Sequence, residues 1–195
     1  MKSFIFLGFV LLSFLVKAQE EEKVSVNKNL YGVQLGIVNS SFYYETKLDR
    51  KIALRGEAGL ELLSSTIDYV DPAMKDETTS FISPYLSLEP RWYYGIDRRA
   101  RLKKNIKNNS SNYVSLRTSY FFTDASLTNT GNFDIDPSFW IVPKFGIRRV
   151  FAKHFNYEVS GGMGYQYSFF SDKKYVNGQH SDVALDFQIR IGYDF

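Results

Sequence analysis

The chain of 195 residues is 17% aromatic, holds no cysteine, and sets 24 Lys and Arg against 21 Asp and Glu for a formal net charge of +3. Without cysteine there is no disulfide framework and no thiolate metal site, and the near balance of charge argues against a nucleic-acid partner, which needs a dominant basic face. The length suits one domain, and after residue 18 no apolar run is long enough for a membrane helix.

The N-terminus begins Met1, Lys2, Ser3, runs apolar to Val16, and continues Lys17, Ala18, Gln19. This is the layout of a signal peptide over residues 1–18, with cleavage expected after Ala18, because the apolar stretch is too short to span a bilayer. Glu20, Glu21 and Glu22 follow at once, whereas the alternative, a retained anchor, would want about 20 apolar residues before charge appears. Loss of Lys2 and Lys17 leaves 22 bases against 21 acids, or +1. Residues 19–29 are expected to form a short periplasmic segment.

From residue 30 the hydrophobicity alternates with period two in eight segments separated by turn-like stretches, the pattern of half-buried strands. Residues 30–38 set Tyr31, Val33, Leu35 and Ile37 against Gly32, Gln34 and Gly36, and Asn39, Ser40 and Ser41 are predicted to turn the chain. Residues 42–48 oppose Phe42, Tyr44 and Leu48 to Tyr43, Glu45 and Lys47, with a second turn at Asp49 and Arg50. Residues 51–66 oppose Ile52, Leu54, Leu60 and Leu62 to Arg55, Glu57 and Glu61, ahead of a polar loop at 68–80. In residues 81–94, Ile82, Leu86, Leu88, Trp92 and Tyr94 face away from Ser83, Glu89, Arg91 and Tyr93. Residues 113–122 oppose Val114, Leu116 and Tyr120 to Ser115 and Arg117, and residues 139–148 oppose Phe139, Ile141 and Phe145 to Lys144 and Arg148. Residues 155–169 set Tyr157, Val159, Met163 and Tyr165 against Glu158, Ser160 and Gly162. The last segment, 183–195, sets Phe187, Ile189, Ile191, Tyr193 and Phe195 against Asp186, Gln188, Arg190 and Asp194. Tilted transmembrane strands need about 9 to 11 residues, so the expectation is an all-β, eight-stranded antiparallel up-and-down transmembrane β-barrel over residues 30–195. Pro84, Pro90 and Pro143 lack the N–H that a closed ladder needs, and bulges or ladder gaps are expected there.

Alternation alone suits a soluble ligand-binding barrel equally well. Volume decides: eight strands enclose a space just wide enough for side chains, and the apolar face is too bulky to fit inside. The polar face is therefore the interior. It carries Glu45, Glu57, Glu61, Glu89, Glu158 and Asp186 with Lys47, Arg55, Arg91, Arg117, Lys144, Arg148 and Arg190, six acids and seven bases, expected to pair as a lumen charge network. On the other face, aromatics including Tyr31, Trp92, Tyr94, Phe155 and Tyr157 gather near one end of their strands. Phe42, Phe81, Tyr120, Phe122, Phe139, Tyr165 and Tyr167 gather near the other, with aliphatic residues between. Two such girdles are what lipid interfaces select.

The unbroken alternation of Phe187, Ile189, Ile191, Tyr193 and terminal Phe195 resembles the closing strand of small outer-membrane barrels of the OmpA transmembrane-domain and OmpX kind, and the resemblance covers about residues 30–195. It implies outer-membrane lipid as surroundings, the barrel-assembly machinery as a partner that reads those five residues, and both chain ends on the periplasmic side. No globular domain is expected after Phe195, so the resemblance does not imply a peptidoglycan anchor.

That topology makes 95–112 a periplasmic connection, carrying Arg98, Arg99, Arg101, Lys103, Lys104 and Lys107. It is read first as a solvated linker and second as a dock for an anionic periplasmic partner or lipid headgroups. Catalysis is not expected. The two histidines, His154 and His180, sit in connections, and His180 is poorly placed to activate its neighbour Ser181 because adjacent strand residues point apart. No cofactor motif and no metal-spaced cluster is present, and Asp124, Asp134 and Asp136 are expected to face water. The expected role is a non-enzymatic barrel serving envelope structure or surface interaction; a narrow ion or small-molecule conduit is the alternative, and a lipid-modifying enzyme the third.

Overall fold

The computed structural model describes residues 24–67, 77–129, 137–169 and 181–195. The predicted signal peptide, Asp134, Asp136 and His180 lie outside the described residues. The strands are β1 (Asn29–Gly36), β2 (Asn39–Asp49), β3 (Ile52–Ile67), β4 (Glu77–Trp92), β5 (Asn112–Phe121), β6 (Thr128–Asn129), β7 (Ser138–Val150), β8 (Phe155–Ser168) and β9 (Ser181–Asp194). Every pairing is antiparallel and, with the two-residue β6 set aside, joins strands consecutive in the chain, apart from the closure of β1 on β9, in register Gly32↔Asp194 to Gly36↔Arg190. Eight long strands thus make a closed up-and-down barrel, the fold class the alternation predicts, and the two-residue β6 extends the β4 edge.

The three prolines interrupt the ladder where the sequence predicts. Opposite Pro90 the β4–β5 pairing stops at Leu88↔Thr118 and resumes at Arg91↔Ser115. Opposite Pro143 the β7–β8 pairing skips from Ile141↔Tyr165 to Lys144↔Gly162. At Pro84 the β5 side leaves the ladder through a 3₁₀ turn, Thr123–Ala125, and returns as β6. Each proline presents its missing donor to one neighbour only, and on the β3 or β5 side the register runs on unbroken.

One predicted turn moves. Asn39, Ser40 and Ser41 pair with Glu61, Leu60 and Gly59 inside β2, and the chain reverses at Ile37 and Val38 instead. The β1–β2 hairpin therefore ends well below the tips of β3 and β9, and the rim is stepped.

Polarity is inverted relative to a soluble protein. Leu35 is 70% exposed, Leu185 70% and Phe187 66%, whereas Arg55, Arg91 and Arg148 are fully buried. The predicted outer aromatic Phe81 is a correction: it is buried and points inward with Ser83 and Tyr85. Its neighbours Ile82 and Leu86 hold the outward phase, so alternation decides against the girdle position.

The 95–112 connection is not a loose linker. Helix α1 (Ile96–Arg101) and a 3₁₀ turn, Lys107–Asn109, fold it into a cap over one mouth of the barrel. Fully buried Ile96 packs with Val26, Ala53, Tyr93 and Tyr113 into a small apolar core, with Val24 and Ile106 at its edge. The predicted N-terminal segment joins it: the Val26 N–H donates to Arg50 O at 2.9 Å, and the Asn27 N–H to Asn109 Oδ1 at 2.7 Å. Asn108 and Asn109 sit at φ 47° and 59°, the left-handed region that asparagine tolerates better than most residues, and this aims both side chains down into the barrel.

Candidate functional site

Alternate residues of every long strand converge on the axis, and the interior they make is ionic. Glu158, from β8, lies at its middle. Arg91 grips it with both terminal nitrogens at 3.0 Å, Arg190 donates at 2.5 Å, Arg148 at 3.3 Å and the Tyr113 hydroxyl at 2.9 Å, while Arg55 stands 3.6 Å away. Glu57 accepts from Arg55 at 2.5 Å and from Arg190 at 3.0 and 3.1 Å, and Glu89 from Arg91 at 2.7 Å and Ser115 at 2.6 Å. Toward the end away from the cap, Arg117 bridges Asp186 at 2.8 Å and Glu61 at 3.3 Å, with Lys144 2.9 Å from Asp186. An isolated ion here would cost several kcal/mol to desolvate. Shared partners and charge-assisted hydrogen bonds offset that cost.

Below Glu158 the network runs into the cap. Asp194 accepts from Tyr43, from Arg148 at 2.7 Å, from Asn156 at 2.7 Å and from the cap's Asn108 at 2.9 Å. Glu45 accepts from Tyr93 at 2.9 Å and from the cap's Asn109 at 2.5 Å, and Arg148 donates back to Asn108 O at 2.9 Å. The cap thus completes the shells of two buried carboxylates. Space left between ions is filled by stacked rings. Arg55 lies 3.8 Å over Tyr43, Arg91 4.4 Å over Tyr113, and Arg117 5.0 Å over Tyr85. Tyr113 fits because Gly146 stands opposite, where any Cβ would collide with its ring.

Of the predicted network residues, Glu45, Arg55, Glu57, Glu61, Glu89, Arg91, Arg117, Lys144, Arg148, Glu158, Asp186 and Arg190 are all 6% exposed or less and lie in this interior. Lys47 is a correction: it is exposed near the C-terminal end of β2, where the inward alternation of burial stops. Asp194 takes its place, so the described interior holds seven acids and six bases rather than six and seven. Asp194 was legible, since it shares the alternation phase of Asp186 and Arg190. The inward rings Tyr43, Tyr85, Tyr93, Tyr113 and Phe121 follow the same phase; the alternation sets Tyr43 and Tyr93 on that face. Nothing in the sequence pattern marks Asn108 and Asn109.

On the outside, Phe187, Ile189, Ile191 and Phe195 are exposed and Tyr193 half-buried along β9. The Phe195 N–H donates to Tyr31 O at 3.0 Å and the two rings stack. Rings then run on through Tyr193, Phe155, Phe151 and Tyr157 as a continuous belt at the cap end. Tyr120, Phe122, Tyr167 and Phe169 form a second group at the other. His154 belongs to the first belt, stacked on Tyr193 with Nδ1 2.8 Å from Asp194 O. No group of three His, Cys, Asp or Glu residues able to hold a metal occurs among the described residues.

Basic residues gather at the cap end of the described barrel. The cap-end rim carries Lys28, Lys47, Arg50, Lys51, Arg98, Arg99, Arg101, Lys103, Lys104, Lys107, Arg149 and Lys153 against Asp49 and Asp97, twelve bases to two acids. Asp97 is held by Lys51 at 2.5 Å and Arg50 at 3.0 Å, which keeps its carboxyl below the usual range.

No family model, no curated protein and no solved structure matches the chain.

Proposed function

We propose that this chain is an integral outer-membrane β-barrel of the small OmpA transmembrane-domain and OmpX kind, exported by its N-terminal signal peptide and serving envelope structure or surface interaction rather than catalysis. The observation that carries this reading is the inversion of polarity: paired ions within, and a belted apolar surface without. In water that surface would be an aggregation hazard far larger than a monomer exposes; in lipid it is the required exterior. The outer-membrane lipid is thus one partner. The barrel-assembly machinery is a second, with the alternate residues Phe187, Ile189, Ile191, Tyr193 and Phe195 of the last strand as the segment it reads. An anionic periplasmic ligand of the cap, around Arg98 and Lys107, is a third.

The filled interior favours a plug over a conduit, because Arg and Tyr side chains occupy the bore that an ion would need. Planar-bilayer recording of the refolded chain tests this, with a silent bilayer expected; steady stepwise conductance would replace the structural reading by the conduit. Incubation with lipid A and analysis of its acyl chains tests the enzymatic reading, and no turnover is expected.

A further inference from the structure

We infer that the basic face of the cap docks the headgroups of anionic glycerophospholipids in the leaflet that surrounds the cap end, an inference that rests on the membrane reading above. Four observations converge. Arg98, Arg101, Lys103, Lys104 and Lys107 are exposed and form no ion pair among the described residues, while the one acid in the cap, Asp97, is already taken by Arg50 and Lys51. These cations stand on a folded unit, pinned through Asn108, Asn109 and the Asn105 side chain, which donates to Val150 O at 3.0 Å, so little ordering entropy is left to lose on binding.

The height is also right. Arg149 turns outward from β7 beside its cross-strand neighbour Tyr157 of the aromatic belt, anchored on Asn112 Oδ1 at 2.5 Å. A cation fixed level with the aromatic belt is a seat for a lipid phosphate. Finally, Leu102 and Phe151, 55% and 62% exposed, stand among the bases. Apolar side chains between cations suit the boundary of headgroups and acyl chains. An acidic protein would match the charge but gives no reason for the seat to lie level with the belt.

The test inserts the full chain into vesicles of equal phosphatidylglycerol and phosphatidylcholine, extracts it in mild detergent, and measures co-purified lipid by mass spectrometry. Phosphatidylglycerol should be enriched about tenfold over phosphatidylcholine, in line with the attraction of clustered bases to an anionic surface. A chain with Arg98, Arg101, Lys103, Lys104 and Lys107 changed to Gln should lose the enrichment yet keep its heat-modifiable band. Equal retention of both lipids by the unaltered chain overturns the inference, as does displacement of phosphatidylglycerol by dilute soluble polyglutamate, which would assign the face to an acidic protein. Insertion without preference removes this inference alone; failure to enter any vesicle removes the membrane reading with it.

Discussion

At Glu158 three guanidiniums donate to one carboxylate, with a fourth at 3.6 Å, so neutralising it strands several buried charges at once. Glu158→Gln should cost about 3–5 kcal/mol, the range for breaking a buried pair on one side, read as a lower urea midpoint for loss of the compact electrophoretic form. Lys47→Gln should change that midpoint by less than about 0.5 kcal/mol, as exposed substitutions do. Equal effects of the two would contradict the interior described here. The contrast also shows what the sequence could convey about single residues. Period two assigns Glu158, Arg91 and Arg190 to one face, because the alternation continues through both neighbours. It assigns Lys47 to that face as well, since alternation carries no information on where a strand leaves the barrel. Alternation also puts Tyr43 and Tyr93 on the inward face, but how a ring fits there is not legible: room for Tyr113 depends on Gly146, thirty-three positions away in sequence and opposite it in space.

Among the elements, the cap departs most from expectation. Its run of Arg, Lys and Asn reads as a solvated linker because its apolar anchors, Ile96 and Ile106, are few and isolated, and much of its docking is polar and long-range. Asn109→Ala removes a donor from buried Glu45 and should free the cap, seen as faster amide exchange across residues 105–112 by mass spectrometry; unchanged exchange would mean that the apolar cluster alone holds it. The Asp97 pairs give the cap a pH dependence. The carboxyl of Asp97 is depressed when folded, so its contribution is fully present above the unfolded value of about 3.9 and fades as pH falls through the lower folded value. Cap exchange should therefore quicken at acid pH, and Asp97→Asn should flatten that part of the profile. A rise with increasing pH, beyond the intrinsic rate, would have the wrong sign. The strands were far more legible than the cap or the first hairpin. Asn39, Ser40 and Ser41 carry turn chemistry, yet pairing with β3 holds them in a strand and leaves apolar Ile37 and Val38 to turn.

For the whole molecule, closure and inversion of polarity go together: a barrel without edges satisfies its backbone internally, which is what permits an apolar exterior to meet lipid. The closing β1–β9 seam is short, five residue pairs against thirteen between β8 and β9, and the Phe195 bond and ring stack on Tyr31 lie just beyond it. Deleting Phe195 should lower the yield of folded barrel in the membrane while leaving synthesis and export unchanged; assembly at the normal level would remove the role given to that residue. The most direct measurement of the central claim is fractionation of cells producing the chain, with carbonate washing and electrophoresis of heated and unheated samples. An outer-membrane band that resists the wash and changes mobility on heating is the predicted result. A monomer that stays soluble without detergent would contradict it.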